Sequence, residues 1–147
     1  MKRAIKSKQS GSSLIEVLVA MLVLSIGIFG MMGLQTVSLR NSQSANERSI
    51  AAISSHAILD AMRANRTVAL NNGYNFAITP ACTRPAGTTQ ANRDITVWLD
   101  NLQNELGGSA CGNINCLQGT CTVLVRWSDE RATAGTADFT IQTQAQL

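Results

Sequence analysis

Gly11, Ser12 and Glu16 stand where a short basic leader meets a long apolar segment. A peptidase that cuts after Gly11 would free an α-amino group on Ser12, and the nearby Glu16 carboxylate could pair with that amine. An ordinary secretory signal is cut behind its apolar segment, at an Ala-x-Ala pattern. Because no such pattern follows the apolar run between residues 25 and 46, the sequence predicts cleavage in front of the run, with the apolar segment kept as the new N-terminus.

The chain also carries four cysteines, all beyond residue 80: Cys82, Cys111, Cys116 and Cys121. In an oxidising compartment an even number of cysteines predicts disulfides, and four cysteines allow three pairings. The spacing of the last three lacks the tight C-x2-C knuckle of zinc sites. One arrangement closes a small loop with Cys111–Cys116 and leaves Cys82–Cys121 as the long bridge, but the sequence leaves the pairing open.

His56 is the only histidine, and Asp60 follows it one helical turn later, with two serines beside it. A catalytic triad needs groups that converge from several elements, so we interpret these residues as a surface pair at the i,i+4 spacing. No Gly-rich phosphate loop or nucleophile elbow occurs. The sequence therefore predicts a protein that is not an enzyme and needs no cofactor.

Three acidic residues towards the C-terminus are the remaining candidates for chemistry: Asp129, Glu130 and Asp138. A calcium loop would place acids in an Asp-x-Asp pattern with a glycine that allows the sharp turn, and that pattern is missing. We therefore expect a solvated turn and a strand surface here, and no metal site.

The apolar segment that follows Glu16 is long enough to cross a membrane. Residues 17–34 contain no charged side chain, and as a helix they would extend roughly 27 Å, close to the thickness of the hydrocarbon core. The leader carries Lys2, Arg3, Lys6 and Lys8, so the positive-inside rule predicts a cytoplasmic N-terminus. Glycines at 27, 30 and 33 favour either close helix packing or local unwinding.

The leader also accounts for the basic character of the whole chain, whose net charge is +3. Residues 12–147 contain 8 Arg and 9 acidic residues, a difference of −1, and no lysine. A nucleic-acid-binding surface needs clustered basic residues on the folded domain, and Arg63 with Arg66 is the nearest approach. The sequence therefore predicts no nucleic-acid partner.

The remaining elements follow from periodicity and turn residues. The helix is expected to continue to about residue 65, with apolar residues on one face and on the face adjoining it. The first face carries Ile50, Ile53, Ala57 and Ala64, and the adjoining face carries Ile58 and Met62. Residues 82–92 are expected to form a loop, and apolar residues from 95 to 106 predict an amphipathic helix that ends at Gly107. Residues 120–127 and 137–145 predict two strands that pair as a hairpin, with Phe139 and Ile141 facing inwards.

The junction closely resembles the prepilin signal of type IV pilins and type II secretion pseudopilins. Gly11 matches the residue before the cut, Glu16 matches the glutamate at the fifth mature position, and residues 14–20 reproduce the core pattern. Ser12 departs from the Phe or Met of most members. Residues 58–66 resemble the end of the long helix in PilV-type minor pilins. Within the larger group, the resemblance is therefore to this type of type IV pilin.

The resemblance implies an α+β, pilin-like fold, in which a long N-terminal helix packs on a small antiparallel sheet with disulfides. It divides the chain into a leader (1–11) removed by prepilin peptidase, a transmembrane and polymerisation half-helix (12–34), a periplasmic half-helix (35–66) and a globular head (67–147). It implies methylation of Ser12, and a filament contact between Glu16 and the Ser12 amine of a neighbour.

The implied function is that of a minor pilin that takes part in initiating pilus assembly, in a priming or tip complex, and in twitching motility and adhesion. The implied partners are other minor pilins, the major pilin, prepilin peptidase and the inner-membrane assembly platform. The implied location is the inner membrane, in a single pass with a periplasmic head, and then the extracellular pilus. A minor pseudopilin of type II secretion and a signal-anchored periplasmic enzyme or chaperone are the alternatives, and a receptor-binding adhesive head is compatible with the pilin interpretation.

Overall fold

The computed structural model describes residues 13–147, so the predicted leader, Gly11 and Ser12 lie outside the described residues. The elements, in chain order, are α1 (Leu14–Ala64), α2 (Arg66–Leu70), α3 (Gln90–Leu106), β1 (Cys111–Leu117), β2 (Thr120–Trp127) and β3 (Phe139–Gln146). A long apolar helix, a small antiparallel sheet and two disulfides make up the predicted α+β, pilin-like architecture. The described residues form two units, of which the first ends at Ser38 and the second is Leu39–Leu147, and each is described by itself.

Helix α1 has the predicted length, 51 residues. The predicted face of its second part is only partly right, because the adjoining residues Ile58 and Met62 are buried whereas most of the first face is not. Ile53 is 68% exposed, and Ala57 and Ala64 are exposed as well. The buried stripe is instead Ser44, Glu47, Ala51, Ser55, Ile58, Leu59 and Met62. These residues recur every three or four positions, so they share one helix face. Four of these seven residues are small or polar, so a search for apolar periodicity does not detect the full stripe.

Helix α3 agrees closely with its prediction. Its inward residues are all buried: Ile95, Trp98, Leu99, Leu102 and Leu106. The helix begins at Gln90, earlier than expected, because the Thr89 side chain caps it by accepting a hydrogen bond from the Asn92 amide. It ends at Gly107, whose φ of 98° favours glycine.

The sheet has the order β1-β2-β3, and both pairs are antiparallel. The predicted pairing of β2 with β3 is confirmed. Strand β1 was not predicted, and it lies where a small loop closed by Cys111–Cys116 was one possible arrangement. A two-residue turn joins β1 to β2, and its residues Gln118 and Gly119 have φ of 50° and 82°. Two successive positive φ values are typical of a type I′ turn, whose twist matches that of the flanking strands.

A buried tyrosine links the segment after α2 to helix α3. Tyr74 is fully buried, donates its hydroxyl proton to Asp94, and accepts a hydrogen bond from the Asn65 amide at 3.3 Å. Burial, and then the hydrogen bond to Asp94, raise the pKa of the Tyr74 phenol to about 12. The phenol therefore remains protonated and donating throughout the physiological pH range.

Gly112 in β1 allows the closest approach between the sheet and α3. A Cβ atom at this position would lie 2.0 Å from the Cη2 atom of the Trp98 ring, which is itself only 4% exposed. We expect Gly112→Ala to lower the free energy of unfolding by about 1–3 kcal/mol, as overpacking of a core does. Gly108→Ala is the matched control, because nothing lies within 4 Å of a Cβ there. Urea unfolding of both variants checks this, and equal stabilities would contradict the packing described.

Candidate functional site

The first part of α1 presents its apolar side chains outwards. Every residue from 13 to 43 is exposed, and the large apolar side chains from Leu14 to Leu34 are 44–78% exposed. Among the described residues, α1 is the one helix long and apolar enough to cross a membrane, with a mean hydropathy of 2.5 over its most apolar window. A continuous apolar surface of this size needs lipid or other protein segments to cover it.

Two hydroxyl groups in this segment are satisfied within the helix itself. The Ser25 hydroxyl donates to the Met21 carbonyl, and the Thr36 hydroxyl donates to the Met32 carbonyl at 3.0 Å. A segment in hydrocarbon must satisfy its polar groups internally in this way, because no water is available. Residues 17–34, which carry no charged side chain, are therefore compatible with lipid.

The three glycines of this segment lie inside a regular helix. Nothing lies within 4 Å of a Cβ placed on Gly27, Gly30 or Gly33. No contact within the chain therefore requires glycine at these positions, and the helix is not unwound there. Of the two roles suggested by the sequence, close approach of a neighbouring helix fits this geometry better.

Glu16 lies in the first turn of α1, where the partial positive charge of the helix N-terminus favours a carboxylate. The Ser13 carbonyl accepts hydrogen bonds from the amides of Glu16, at 2.9 Å, and Val17, at 3.3 Å. Because Gly11 and Ser12 lie outside the described residues, cleavage and the pairing of Glu16 with the Ser12 amine stay predictions.

In the second unit, two acidic side chains fasten the β2–β3 connection to α1. Asp129, 2% exposed, accepts hydrogen bonds from the Ser44 hydroxyl at 2.7 Å and from the Arg48 guanidinium at 3.5 Å. Glu47 accepts a hydrogen bond from the Trp127 indole at 3.2 Å. The expectation that Asp129 lies in a solvated turn is therefore wrong, because donors on α1 meet its carboxylate.

We expect Asp129→Ala to lower the free energy of unfolding by about 1–3 kcal/mol, since the buried Ser44 hydroxyl would lose its acceptor. Glu130→Ala is the matched control, because Glu130 is the exposed neighbour in the same turn. Urea titrations of the two variants make the comparison, and an Asp129→Ala protein as stable as the control would contradict the anchoring role.

The four cysteines form two disulfides, as predicted, but not with the arrangement put forward from the sequence. Cys82 pairs with Cys111, and Cys116 pairs with Cys121. Cys116 and Cys121 face each other across β1 and β2, so the strand register brings them together. All four are at most 4% exposed, which makes the bridges part of the core.

The residues that resemble a catalytic set do not converge. His56 is exposed, whereas Ser55 is buried and donates its hydroxyl proton to the Ala51 carbonyl at 2.8 Å. The Asp60 carboxylate accepts a hydrogen bond from the Arg63 guanidinium at 2.6 Å. Asp60 therefore pairs with Arg63, and not with His56 as expected. Among the described residues, no group of three or more His, Cys, Asp or Glu side chains is arranged to hold a metal ion.

A cleft of about 400 Å³ lies between α1 and α3. Its lining includes the apolar residues Ala57, Ile58 and Trp98 and the charged residues Arg93 and Asp94. No serine, cysteine or histidine lines this cleft, so its chemistry is that of a surface groove with a mixed apolar and charged lining.

The anchoring residues of the second unit were missed by sequence reasoning. Ser44, Glu47 and Ala51 continue the helical spacing of the buried stripe towards the N-terminus. That spacing was the available signal, but polar residues at core positions are unusual unless they are hydrogen-bonded. Their partners, Trp127 and Asp129, are distant in the sequence and give no local sign.

Comparison with known proteins bears on the N-terminal segment. Residues 6–32 match the model of the prokaryotic N-terminal methylation motif, a type IV pilin-like signal. No characterised protein and no solved structure matches the chain significantly. The matched residues include Gly11, Ser12 and Glu16, and extend well into the exposed apolar part of α1.

Proposed function

We propose that this chain is a minor pilin of the type IV pilus that takes part in initiating assembly, in a priming or tip complex, and thereby in twitching motility and adhesion. One observation carries the proposal. Residues 6–32 match the methylation motif, and within helix α1 residues 17–34 are all exposed and carry no charged side chain. The second part of the same helix packs on an α+β head. This is the construction expected of a subunit that is stored in a membrane and later packed among similar helices.

In the proposed mechanism, prepilin peptidase cuts after Gly11 and frees the Ser12 amine, which the same enzyme methylates. The mature chain is held in the inner membrane by the exposed part of α1, with its head in the periplasm. The assembly platform then moves the helix from lipid into the filament. Lipid and protein interior are similarly apolar, so close packing and polar contacts, rather than the hydrophobic effect, must favour the filament.

Two features of the chain supply such contacts. Gly27, Gly30 and Gly33 allow a neighbouring helix to approach closely. The Glu16 carboxylate attracts the Ser12 amine of a neighbouring subunit, and this attraction is strong because both groups are shielded from water. The neighbours are the major pilin and other minor pilins, which carry the same kind of helix.

Filaments sheared from the cell surface test the proposal. We expect the mature chain to sediment with sheared pili, and we expect deletion of its gene to reduce the number of surface pili. A type II secretion pseudopilin would instead be missing from sheared pili, and its deletion would stop protein secretion and leave pili intact. The second result would contradict the minor-pilin proposal and favour the pseudopilin.

A further inference from the structure

The two edges of the sheet differ in how their backbone groups are used. On the β1 edge, Ile114 exchanges two backbone hydrogen bonds with Phe76, both at 2.8 Å. The next outward amide, that of Cys116, donates to the Asn75 side chain at 2.8 Å. The chain therefore covers the β1 edge with the segment that precedes α3.

The β3 edge has no such cover among the described residues, where β2 is the one strand that pairs with β3. The amide of Leu147 donates to the Gly119 carbonyl at 2.9 Å. In an antiparallel ladder the direction of the backbone groups alternates along each strand. The odd-numbered residues of β3 therefore bond to β2, and the even-numbered residues point their amides and carbonyls away from it.

The β1–β2 turn leads to the same assignment independently. A two-residue hairpin turn is flanked by a hydrogen-bonded pair, here Leu117 with Thr120. The backbone of Thr120 therefore faces β1, and that of the next residue, Cys121, faces β3 and its partner Ala145. The outward groups of β3 thus belong to Thr140, Gln142, Gln144 and Gln146.

The composition of β3 leaves this edge unprotected. Natural sheets guard their edges with charged residues, prolines or bulges, and residues 139–147 contain no charged residue and no proline. Among the described residues, the charged groups found against this strand lie near its two ends. Arg126 pairs with Asp138 at 3.7 Å, the Arg48 guanidinium lies over the Phe139 ring, and Arg66 donates to the Leu147 carbonyl. Eight consecutive strand residues are therefore open to a further strand.

The inner face of β3 is also incompletely covered. The inward residues of β2 are at most 1% exposed: Cys121, Val123, Val125 and Trp127. The inward residues of β3 are only half-buried, namely Phe139, Ile141, Thr143 and Ala145. A strand added to this edge would cover their outer sides if its own inward residues were small or apolar.

We infer that the free edge of β3 binds an uncharged, extended strand of another pilin-like subunit, and this inference rests on the proposed function. The outward backbone groups of the four even-numbered residues require a strand as their partner. The half-buried inner face selects apolar or small residues at alternate positions of that strand. Strand addition of this kind draws its affinity from main-chain hydrogen bonds and its specificity from alternate side chains.

The test is Gln142→Pro, with Gln142→Ala as its matched control. The Gln142 amide points away from β2, so proline removes an outward donor and leaves the β2–β3 ladder intact, as edge strands tolerate. We expect the proline variant to be recovered with sheared pili about tenfold less than the alanine variant, the factor for roughly one lost backbone hydrogen bond. Ile141→Pro is the contrasting variant. The Ile141 amide bonds to β2, so its replacement by proline should unfold the strand.

Equal recovery of a folded Gln142→Pro protein and its alanine control would overturn the inference. If the proline variant fails to fold, hydrogen exchange of the wild-type chain decides. We expect the amides of residues 140, 142, 144 and 146 to exchange fast in detergent and slowly in pili, and fast exchange in both states would overturn the inference. If the wild-type chain is missing from pili, the proposed function fails. Hydrogen exchange of the same four amides in native membranes then tests strand binding separately: slow exchange there would support it, and fast exchange would overturn it.

Discussion

We expect replacement of Glu16 by alanine to remove the chain from assembled pili and to leave its insertion into the membrane unchanged. In the filament, the Ser12 amine of a neighbouring subunit would remain among apolar helices without its carboxylate partner. Loss of one member of a buried ion pair costs about 3–5 kcal/mol. This corresponds to at least a roughly hundredfold fall in incorporation. Insertion is spared because residues 17–34 keep their apolar character.

Immunoblots of sheared pili and of washed membranes measure the two effects separately. Glu16→Gln keeps the size of the side chain and loses its charge, so it should fail like alanine. Glu16→Asp keeps the charge and should restore part of the incorporation. Wild-type amounts of the Glu16→Ala protein in pili would contradict the proposed role of the carboxylate.

Replacement of both Cys82 and Cys111 by serine is expected to lower the stability of the head more than any other change considered. Their bridge spans 29 residues of sequence, against 5 for the bridge of Cys116 with Cys121. In the chain-entropy description these spans correspond to about 3–4 and about 2 kcal/mol of unfolding free energy, respectively. The longer bridge also ties the segment before α3 to the start of β1, so its loss frees more of the chain.

Urea unfolding of the two paired-serine variants, purified in the same detergent, gives the comparison. We expect the variant that lacks Cys82–Cys111 to unfold at the lower urea concentration. A greater loss of stability from the Cys116–Cys121 pair would contradict the ordering. Peptide mapping of the oxidised wild-type protein checks the pairing itself, and a Cys111–Cys116 bridge would contradict the structure.

The sequence was informative where structure depends on neighbouring residues. The extent of α1 follows from the lack of glycine and proline between residues 35 and 66, and α3 follows from its apolar spacing. Strand β2 follows from strict alternation, which places its odd-numbered residues inwards. In each case the local pattern and the final packing favour the same element.

The buried face of α1 was predicted only at Ile58 and Met62, because the rest of that face is selected by contacts distant in the sequence. The Ser44 and Glu47 side chains are buried because Asp129 and Trp127 supply their hydrogen-bond partners. A polar residue on a helix gives no sign of such partners, whereas Ile53 suggests burial and is in fact exposed. The correct face required knowledge of the connection between β2 and β3.

Strand β1 was missed for a related reason. Its seven residues include glycine and two asparagines, which are uncommon in strands. Gly112 is there because the Trp98 ring approaches the backbone, and Ile114 is held by Phe76. Both causes are tertiary contacts, which the sequence does not reveal. The close spacing of Cys111 and Cys116 instead suggested a small loop closed by a disulfide.

The intact mass of the chain from its native membrane, beside that of a Gly11→Val variant, tests the central claim most directly. We predict that the wild-type protein lacks residues 1–11, with a methyl group added at Ser12, and that the variant keeps its leader. A wild-type chain that retains the leader would contradict the account, since neither the Ser12 amine nor its pairing with Glu16 could then exist.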